Sequence, residues 1–167
     1  EHVNQSIKLF IDEGIIPPPS MLYSLKYSIL METGSWEGAW PGIKSAVQMF
    51  PDYVDLRFYM GVILYYKKMY QEALDCFREC IELGENNLNY LSIKGLGSFR
   101  AWFYVGLCFE ELKNEEEAFL AYLKALIISN NFIPAHETIA KLINVHPTLA
   151  DRIKYLKPEF RKLLQSN

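Results

Sequence analysis

Between residues 54 and 83 the apolar positions recur at steps of three and four: Phe58, Met60, Ile63 and Leu64, then Ala73, Leu74, Phe77 and Ile81. That period places them on one face of each of two helices, with the polar residues on the other. The arrangement is repeated along the chain. Trp36, Ala39, Ile43 and Ala46 each stand 34 residues before Tyr70, Ala73, Phe77 and Cys80. Gly61, Ala73, Phe77 and Cys80 in turn stand 45 residues before Gly106, Ala118, Tyr122 and Ala125, and 45 is the period of 34 plus an insertion of 11. A helix pair of this kind cannot bury its own apolar face, so successive copies must stack.

Helix-breaking residues fall between the periodic stretches. Pro17-Pro18-Pro19 ends an N-terminal helix predicted over about Val3 to Glu13, Gly34-Ser35 divides the first pair, and Pro51-Asp52 separates copy one from copy two. Ser98 is expected to cap the helix that begins near Phe99. Asn130-Asn131 reads as a turn, Pro134 to Val145 as a fourth first helix, and Pro147 and Pro158 as the starts of closing helices over about 148–156 and 158–165. The expected organisation is an N-terminal capping segment (1–19), three repeats (20–53, 54–98 with the insertion, 99–132), and a half-repeat with capping helices (133–167). No alternation of strands with helices is apparent.

These residues resemble the tetratricopeptide repeat (TPR) family. Copy three carries Trp102, Gly106, Ala118, Tyr122 and Ala125 at the motif's aromatic and small positions. Copy two carries Gly61, Tyr70, Ala73 and Phe77, with Arg57 in place of the first aromatic. Copy one carries Tyr23, Gly34, Ala39, Ala46 and Pro51, but bulky Tyr27 stands where glycine is usual, at odds with close helix packing there. The resemblance implies an all-α fold, a right-handed superhelical solenoid of helix-turn-helix repeats with capping helices. The small residues at motif positions 8 and 20 would face each other. It also implies a protein or peptide partner held by the concave face of the first helices, at motif positions 2, 5, 9, 12 and 13. Those are Met21, Ser24, Ser28, Met31 and Glu32 in copy one; Asp55, Phe58, Val62, Tyr65 and Tyr66 in copy two; and Arg100, Phe103, Leu107, Glu110 and Glu111 in copy three, with Lys141 and Asn144 extending the row. The Lys and Asn clamp with which chaperone-binding members hold a peptide carboxylate is absent, since Phe58, Phe103, Val62 and Leu107 occupy its positions. The alternative is that Phe58, Tyr65 and Phe103 pack on one another or under the N-terminal helix.

The insertion, Glu85 to Ser98, offers Tyr90, Lys94, Gly95 and Gly97 as candidate binding residues, or else lengthens one turn. Lys94-Gly95-Leu96-Gly97-Ser98 has the look of a phosphate cradle, but no strand precedes it. Leu83-Gly84-Glu85, Tyr90, Ser92-Ile93-Lys94-Gly95, Gly97 and Ala101-Trp102, with Asn131-Phe132-Ile133-Pro134-Ala135, resemble the C-terminal repeat region of bacterial family 2 glycosyltransferases. That resemblance implies a catalytic domain upstream, the repeats serving association or acceptor recognition. The family's Asp-x-Asp metal motif has no counterpart; the nearest pair is Asp52-x-x-Asp55. No catalytic residue is assigned and this chain is not expected to be an enzyme, whatever its parent. The alternative is a stand-alone adaptor or self-associating module, with a homodimer among its forms.

Composition narrows the partners. The chain has 167 residues, half of them hydrophobic, including 11 Tyr, 10 Phe and 3 Trp, which suffices for one packed domain. The net charge of −3 comes without a basic block, so nucleic acid is not expected. No apolar run is long enough to span a membrane. Glu1 to Asn4 does not begin a signal peptide, and the absence of an initial Met suggests a fragment. Cys76, Cys80 and Cys108 form no disulfide framework, which favours a reducing, cytoplasmic setting. Cys76 and Cys80 lie one turn apart but lack a second ligand pair, so core packing is expected rather than a metal site. His2, His136 and His146 are far apart, and no cofactor is implied. The acidic run Glu110, Glu111, Glu115, Glu116 and Glu117 reads either as a solvated helix start or as a rim for a basic partner.

Overall fold

A computed structural model describes residues 2–149. Among the described residues eight α-helices follow one another: α1 (His2–Asp12), α2 (Ser20–Glu32), α3 (Trp40–Met49), α4 (Val54–Tyr66), α5 (Tyr70–Leu83), α6 (Phe99–Glu111), α7 (Glu115–Ile128) and α8 (Ile133–Val145). Helices α2 with α3, α4 with α5 and α6 with α7 are the three expected pairs and α8 is the fourth first helix; from α3 to α8 consecutive helices pack on one another, while α2 packs chiefly on α1 and α4. The core runs along the stack without a break. Trp102 and Phe109 pack both on the buried residues of copies one and two and on those of copy three and α8. This is an all-helical repeat solenoid. Of the closing helices expected over 148–156 and 158–165, all but Thr148 and Leu149 lie outside the described residues.

One device ends the first helix of every pair. In copy one the N–H of Gly34 donates to the Met31 carbonyl at 3.2 Å and that of Ser35 to Leu30 at 2.9 Å, with Gly34 at φ 66°. Lys68 and Met69 bond Tyr65 and Leu64 in the same way, and Lys113 and Asn114 bond Glu110 and Phe109. These pairs of bonds satisfy carbonyls that a helix end leaves open, and they demand a left-handed residue. Glycine supplies it in copy one; lysine does in copies two and three, at φ 62° and 61°. The second helix of copy one starts late: a 3-10 turn, Glu37–Ala39, precedes α3. Pro41 has no N–H to close an α-helical bond onto the Glu37 carbonyl, so the tighter turn takes its place. In copy three Asn114 caps α7, its side chain accepting from the Glu117 N–H at 3.3 Å.

Close packing within each pair rests on a large residue meeting a glycine. A Cβ on Gly61 would lie 2.8 Å from the Phe77 ring, and one on Gly106 would overlap Tyr122. The small residue at position 8 therefore meets the ring at position 24. Tyr27, at odds with the motif, is buried without disruption, because copy one reverses the arrangement. Gly42 occupies the place of Cys76 and Ala121, and a Cβ there would lie 2.7 Å from the Tyr27 hydroxyl. Ile43 replaces the opposing ring.

Candidate peptide-binding face

The first helices divide the expected groove residues into three groups. Phe58 and Val62 are buried, 6 and 4 % exposed. Phe58 meets Phe77 at 5.4 Å and Tyr104, from the next copy, at 5.2 Å, both edge to face. Stacking of copy three onto copy two thus covers the centre of the expected groove, and these two residues belong to the core. Asp55 is also fully buried, and Ser24 of copy one is spent on it: the Ser24 hydroxyl donates to the Asp55 carboxylate at 2.9 Å.

A second group is half-buried. Phe103 lies 5.4 Å from both Tyr122 and Phe132, Leu107 packs on the same cluster, and Glu110 accepts a hydrogen bond from the Tyr122 hydroxyl. Tyr65 sits among rings, 5.7 Å from Tyr66, 5.6 Å from Tyr70 and 6.1 Å from Tyr104. The third group is open. Tyr66 is 48 % exposed and stacks on Trp36 at 4.8 Å, and Arg100 is exposed with its guanidinium beside the Phe99 ring. The accessible part of the row therefore lies at the helix ends: Tyr66 at the C-terminal end of α4, Arg100 at the start of α6 and Glu111 at its end. Next to it, Glu110, Glu111, Lys113, Glu115, Lys141 and His146 line a shallow depression of about 290 Å³ that reaches α8. Trp36 and Tyr70 join this face although the motif positions did not point to them. Both sit at the turn between paired helices, and their ring chemistry in a 34-residue register was the available signal.

The insertion is held by three carboxylates that sequence reasoning had given no part in holding it. Asp52 accepts from the Tyr90 hydroxyl at 2.6 Å and the Asn87 amide at 3.0 Å. Asp55 accepts from the Ile93 N–H at 3.2 Å. Glu85 accepts from the N–H of Gly95 at 2.5 Å, that of Gly97 at 3.3 Å and the Ser98 hydroxyl at 2.8 Å. Tyr90 also stacks on Tyr53 at 4.3 Å, and the Tyr53 hydroxyl donates to the Leu91 carbonyl at 2.8 Å. Gly97 passes so close to the backbone of Gly84 that a Cβ would overlap the carbonyl oxygen. The phosphate reading, already disfavoured by the missing strand, falls away, and one expectation changes. The cradle of residues 94–98 is filled by the chain's own Glu85, leaving its donors no vacancy for phosphate. Ser98 starts α6 but makes no side-chain cap, because its hydroxyl is turned to Glu85. Lys94 is exposed, and so are Leu88, Leu91 and Ile93.

Burial governs the titration of the remaining candidates. It pushes the Cys76 and Cys108 thiols up to about 12 and raises the Cys80 thiol well above its ordinary value, so at neutral pH all three are protonated and poorly nucleophilic. Burial also raises the Asp55 carboxyl, against the lowering pull of Ser24 and Ile93. Tyr65 is raised by burial and then by the charges of Glu111 and Glu110 among its neighbours. Among the described residues no group of three or more His, Cys, Asp or Glu could hold a metal ion, and no helix is long and apolar enough to cross a membrane.

Residues 54–87 match the model of the tetratricopeptide repeat family. No curated protein matches the chain. Among solved structures, YrrB, a TPR protein with an unusual peptide-binding site, is 14 % identical, with 100 % of this chain and 75 % of that one covered at a TM-score of 0.67. MamA is 19 % identical, with 98 % and 85 % covered at 0.69, and a MamA RS-1 double mutant is 16 % identical, with 89 % and 78 % covered at 0.60. At such identities the likeness is one of fold, and the chain has the helical-repeat fold of TPR proteins, with copy two matching the family's repeat.

Proposed function

We propose that the chain is a protein-interaction scaffold that holds an extended peptide along the row Tyr65, Tyr66, Phe103, Leu107 and Glu110. The observation that carries this reading is Tyr66, a large ring left half in solvent yet fixed in orientation by Trp36. An aromatic that is already ordered loses little entropy on binding and offers apolar area with a polar tip. Selection of a random peptide display library on the immobilised chain tests it. Enrichment that survives in the parent and collapses in Tyr66→Ala with Leu107→Ala, at unchanged melting temperature, supports the reading. Absence of enrichment, or enrichment indifferent to both variants, overturns it.

A second reading, an association domain of a larger chain, is favoured by the outer face of α2. Met21, Leu25 and Ile29 are 53, 46 and 41 % exposed, while their counterparts 34 residues on, Asp55, Tyr59 and Ile63, are buried against copy one. A face that copy two covers with the preceding repeat is open in copy one, although α1 packs nearby. The resemblance of 83–102 to glycosyltransferase repeat regions would make that chain a cytoplasmic transferase. Glu85, Tyr90, Gly95 and Gly97, which carry the resemblance, serve here to fold the insertion, so it bears on shared architecture rather than on sugar chemistry. The intact mass of the native polypeptide separates the readings. A mass near 19.4 kDa removes the larger chain; an excess of about 20 kDa or more leaves room for a catalytic domain.

A further inference from the structure

We infer that the outer face of α2, with the flank of α1 beside it, is the surface by which two copies of this chain join about a two-fold axis. The inference uses none of the residues of the peptide row. It names a second copy, rather than a preceding repeat of a larger chain, as what covers the face that the association reading leaves open. Met21, Leu25 and Ile29 follow one another at one-turn spacing and form a single ridge along α2, 53, 46 and 41 % exposed. α1 packs on α2 to one side of that ridge: Asn4 shares one concavity with Lys26, Tyr27 and Leu30 and, with Val3, a second with Ile29. At the other end of α1, Leu9 and the turn residues Ile15 and Ile16 are 62, 48 and 75 % exposed, and Leu9, Phe10 and Ile15 line a depression of about 280 Å³.

Three features select a second copy. The first is area. Taken together, those six side chains leave roughly 600 Å² of aliphatic surface in water, the upper end of what a monomer's largest apolar patch measures and close to the roughly 800 Å² that each partner of a stable interface buries. Polar residues around the patch make up the difference as a rim. The second is composition. The six are Leu, Ile and Met, with no charge and no aromatic ring. Interfaces between like subunits are the more apolar kind, whereas transient recognition favours rings among polar groups, as in the row around Tyr66. The third is register. Asp55, Tyr59 and Ile63 of α4, 34 residues on, are buried, and Asp55 meets Ser24 of α2 at 2.9 Å. This strip of a first helix therefore takes another first helix. With a two-fold axis beside Leu25, the helix supplied is α2 of the second copy, Leu25 meets its own counterpart, and Met21 and Ile29 extend the contact on either side. Ridges of this i, i+4 type interlock at about 50°. A patch that fits itself closes at two copies instead of growing into a fibre.

Sedimentation velocity of the whole chain between about 1 and 200 μM tests it. The expected mass at the upper end is twice 19.4 kDa. Leu25→Asp should weaken association about a hundredfold or more, because each dimer carries the buried charge twice, and should keep the parent's helical circular dichroism. Leu88→Asp, at an exposed leucine of the insertion, should leave the mass unchanged. Leu25→Cys with oxidised glutathione should join two chains by a disulfide across the axis, which the buried cysteines of the parent should not do. That variant decides the matter if Leu25→Asp fails to fold. A single-chain mass throughout, a dimer indifferent to Leu25→Asp or weakened equally by Leu88→Asp, species growing beyond two copies, or no cross-link in Leu25→Cys overturns the inference. The display selection judges the peptide row separately: a single-chain mass that still enriches peptides removes the dimer and leaves the scaffold standing. A single-chain mass with a native polypeptide heavier by about 20 kDa or more hands the face to the larger chain.

Discussion

Copies one and two solve the same packing problem with opposite placements of bulk. In copy two the first helix gives way, Gly61 admitting the Phe77 ring from the second. In copy one the second helix gives way, Gly42 admitting Tyr27 from the first, with Ile43 where the ring would stand. Either way one glycine and one large residue fill the space, as close-packed interiors require. The repeat thus conserves a sum of volumes across two helices rather than a residue at a position. A consensus read one position at a time marks Tyr27 as a defect, whereas the pair of helices shows a compensated exchange.

The strongest way to break the comparison is to remove the large residue from one side only. Tyr27→Gly should destabilise the chain by about 3–5 kcal/mol, through the cavity left beside Gly42 and the loss of a buried ring. Adding Gly42→Cys and Ile43→Phe rebuilds the arrangement of copy two, and urea unfolding of the triple variant should recover most of that loss. A triple variant no more stable than Tyr27→Gly would show that copy one depends on Tyr27 for more than volume. Gly61→Ala comes next. Its methyl would sit 2.8 Å from Phe77, and the expected cost is about 2–3 kcal/mol despite alanine's better helix propensity. Thermal unfolding checks it, and a gain in melting temperature would mean that Phe77 can move aside.

The sequence carried the helices and their order because both are local properties. Steps of three and four name the buried face, and Gly34, Pro17 to Pro19 and Pro51 mark where helices stop. The accessible face was less legible. Phe58 and Tyr65 both stand at groove positions of one helix, yet Phe58 is sealed by Tyr104 from the next copy while Tyr65 lies at the rim. Which is covered depends on how far neighbouring copies overlap, and no residue within the helix encodes that. The insertion was least legible. Its shape depends on Asp52 and Asp55 of the preceding pair and on Glu85 reaching ten residues or more along the chain. The pair Asp52-x-x-Asp55 at the start of a helix was the available signal.

Asp55 extends the comparison to a third register position. Its counterpart in copy one is Met21, exposed; in copy three it is Arg100, also exposed; in copy two it is a carboxylate sealed against Ser24 and Ile93. Its raised pKa means that the folded chain holds the proton more tightly than the unfolded one. Its contribution to stability is therefore full below the ordinary value of about 3.9 and is lost as pH rises through the raised value. Asp52, exposed and lowered by Tyr90, acts in the opposite sense, contributing above about 3.9 and losing this as pH falls through its lowered value. Asp55→Asn sets an amide NH2 among groups that already donate and should cost about 1–3 kcal/mol in acid. It should also flatten the fall in stability as pH rises above about 4. Urea titrations across pH measure both, and a profile parallel to the parent's would remove Asp55 as the titrating group.

The smallest expected effect sharpens the comparison at the helix ends. Copy one ends α2 with Gly34 in the left-handed conformation, where copies two and three use Lys68 and Lys113. A side chain in that region strains against its own backbone by about 1–2 kcal/mol, part of which glycine forfeits through the freedom it gains when unfolded. Lys68→Gly should therefore stabilise the chain by about 0.5–1 kcal/mol, with the bonds to Tyr65 and Leu64 kept. Lys68 is exposed and makes no ion pair within 4 Å among the described residues, so little else is removed with the side chain. Its charge does lie just past the negative end of α4, where a cation contributes about 0.3–1 kcal/mol at low salt. Melting at low and high salt separates the two terms. Backbone strain predicts a gain at both, larger at high salt where the dipole interaction is screened, whereas a loss at low salt that vanishes at high salt would make the lysine's charge, not its conformation, the reason it stands where copy one has glycine.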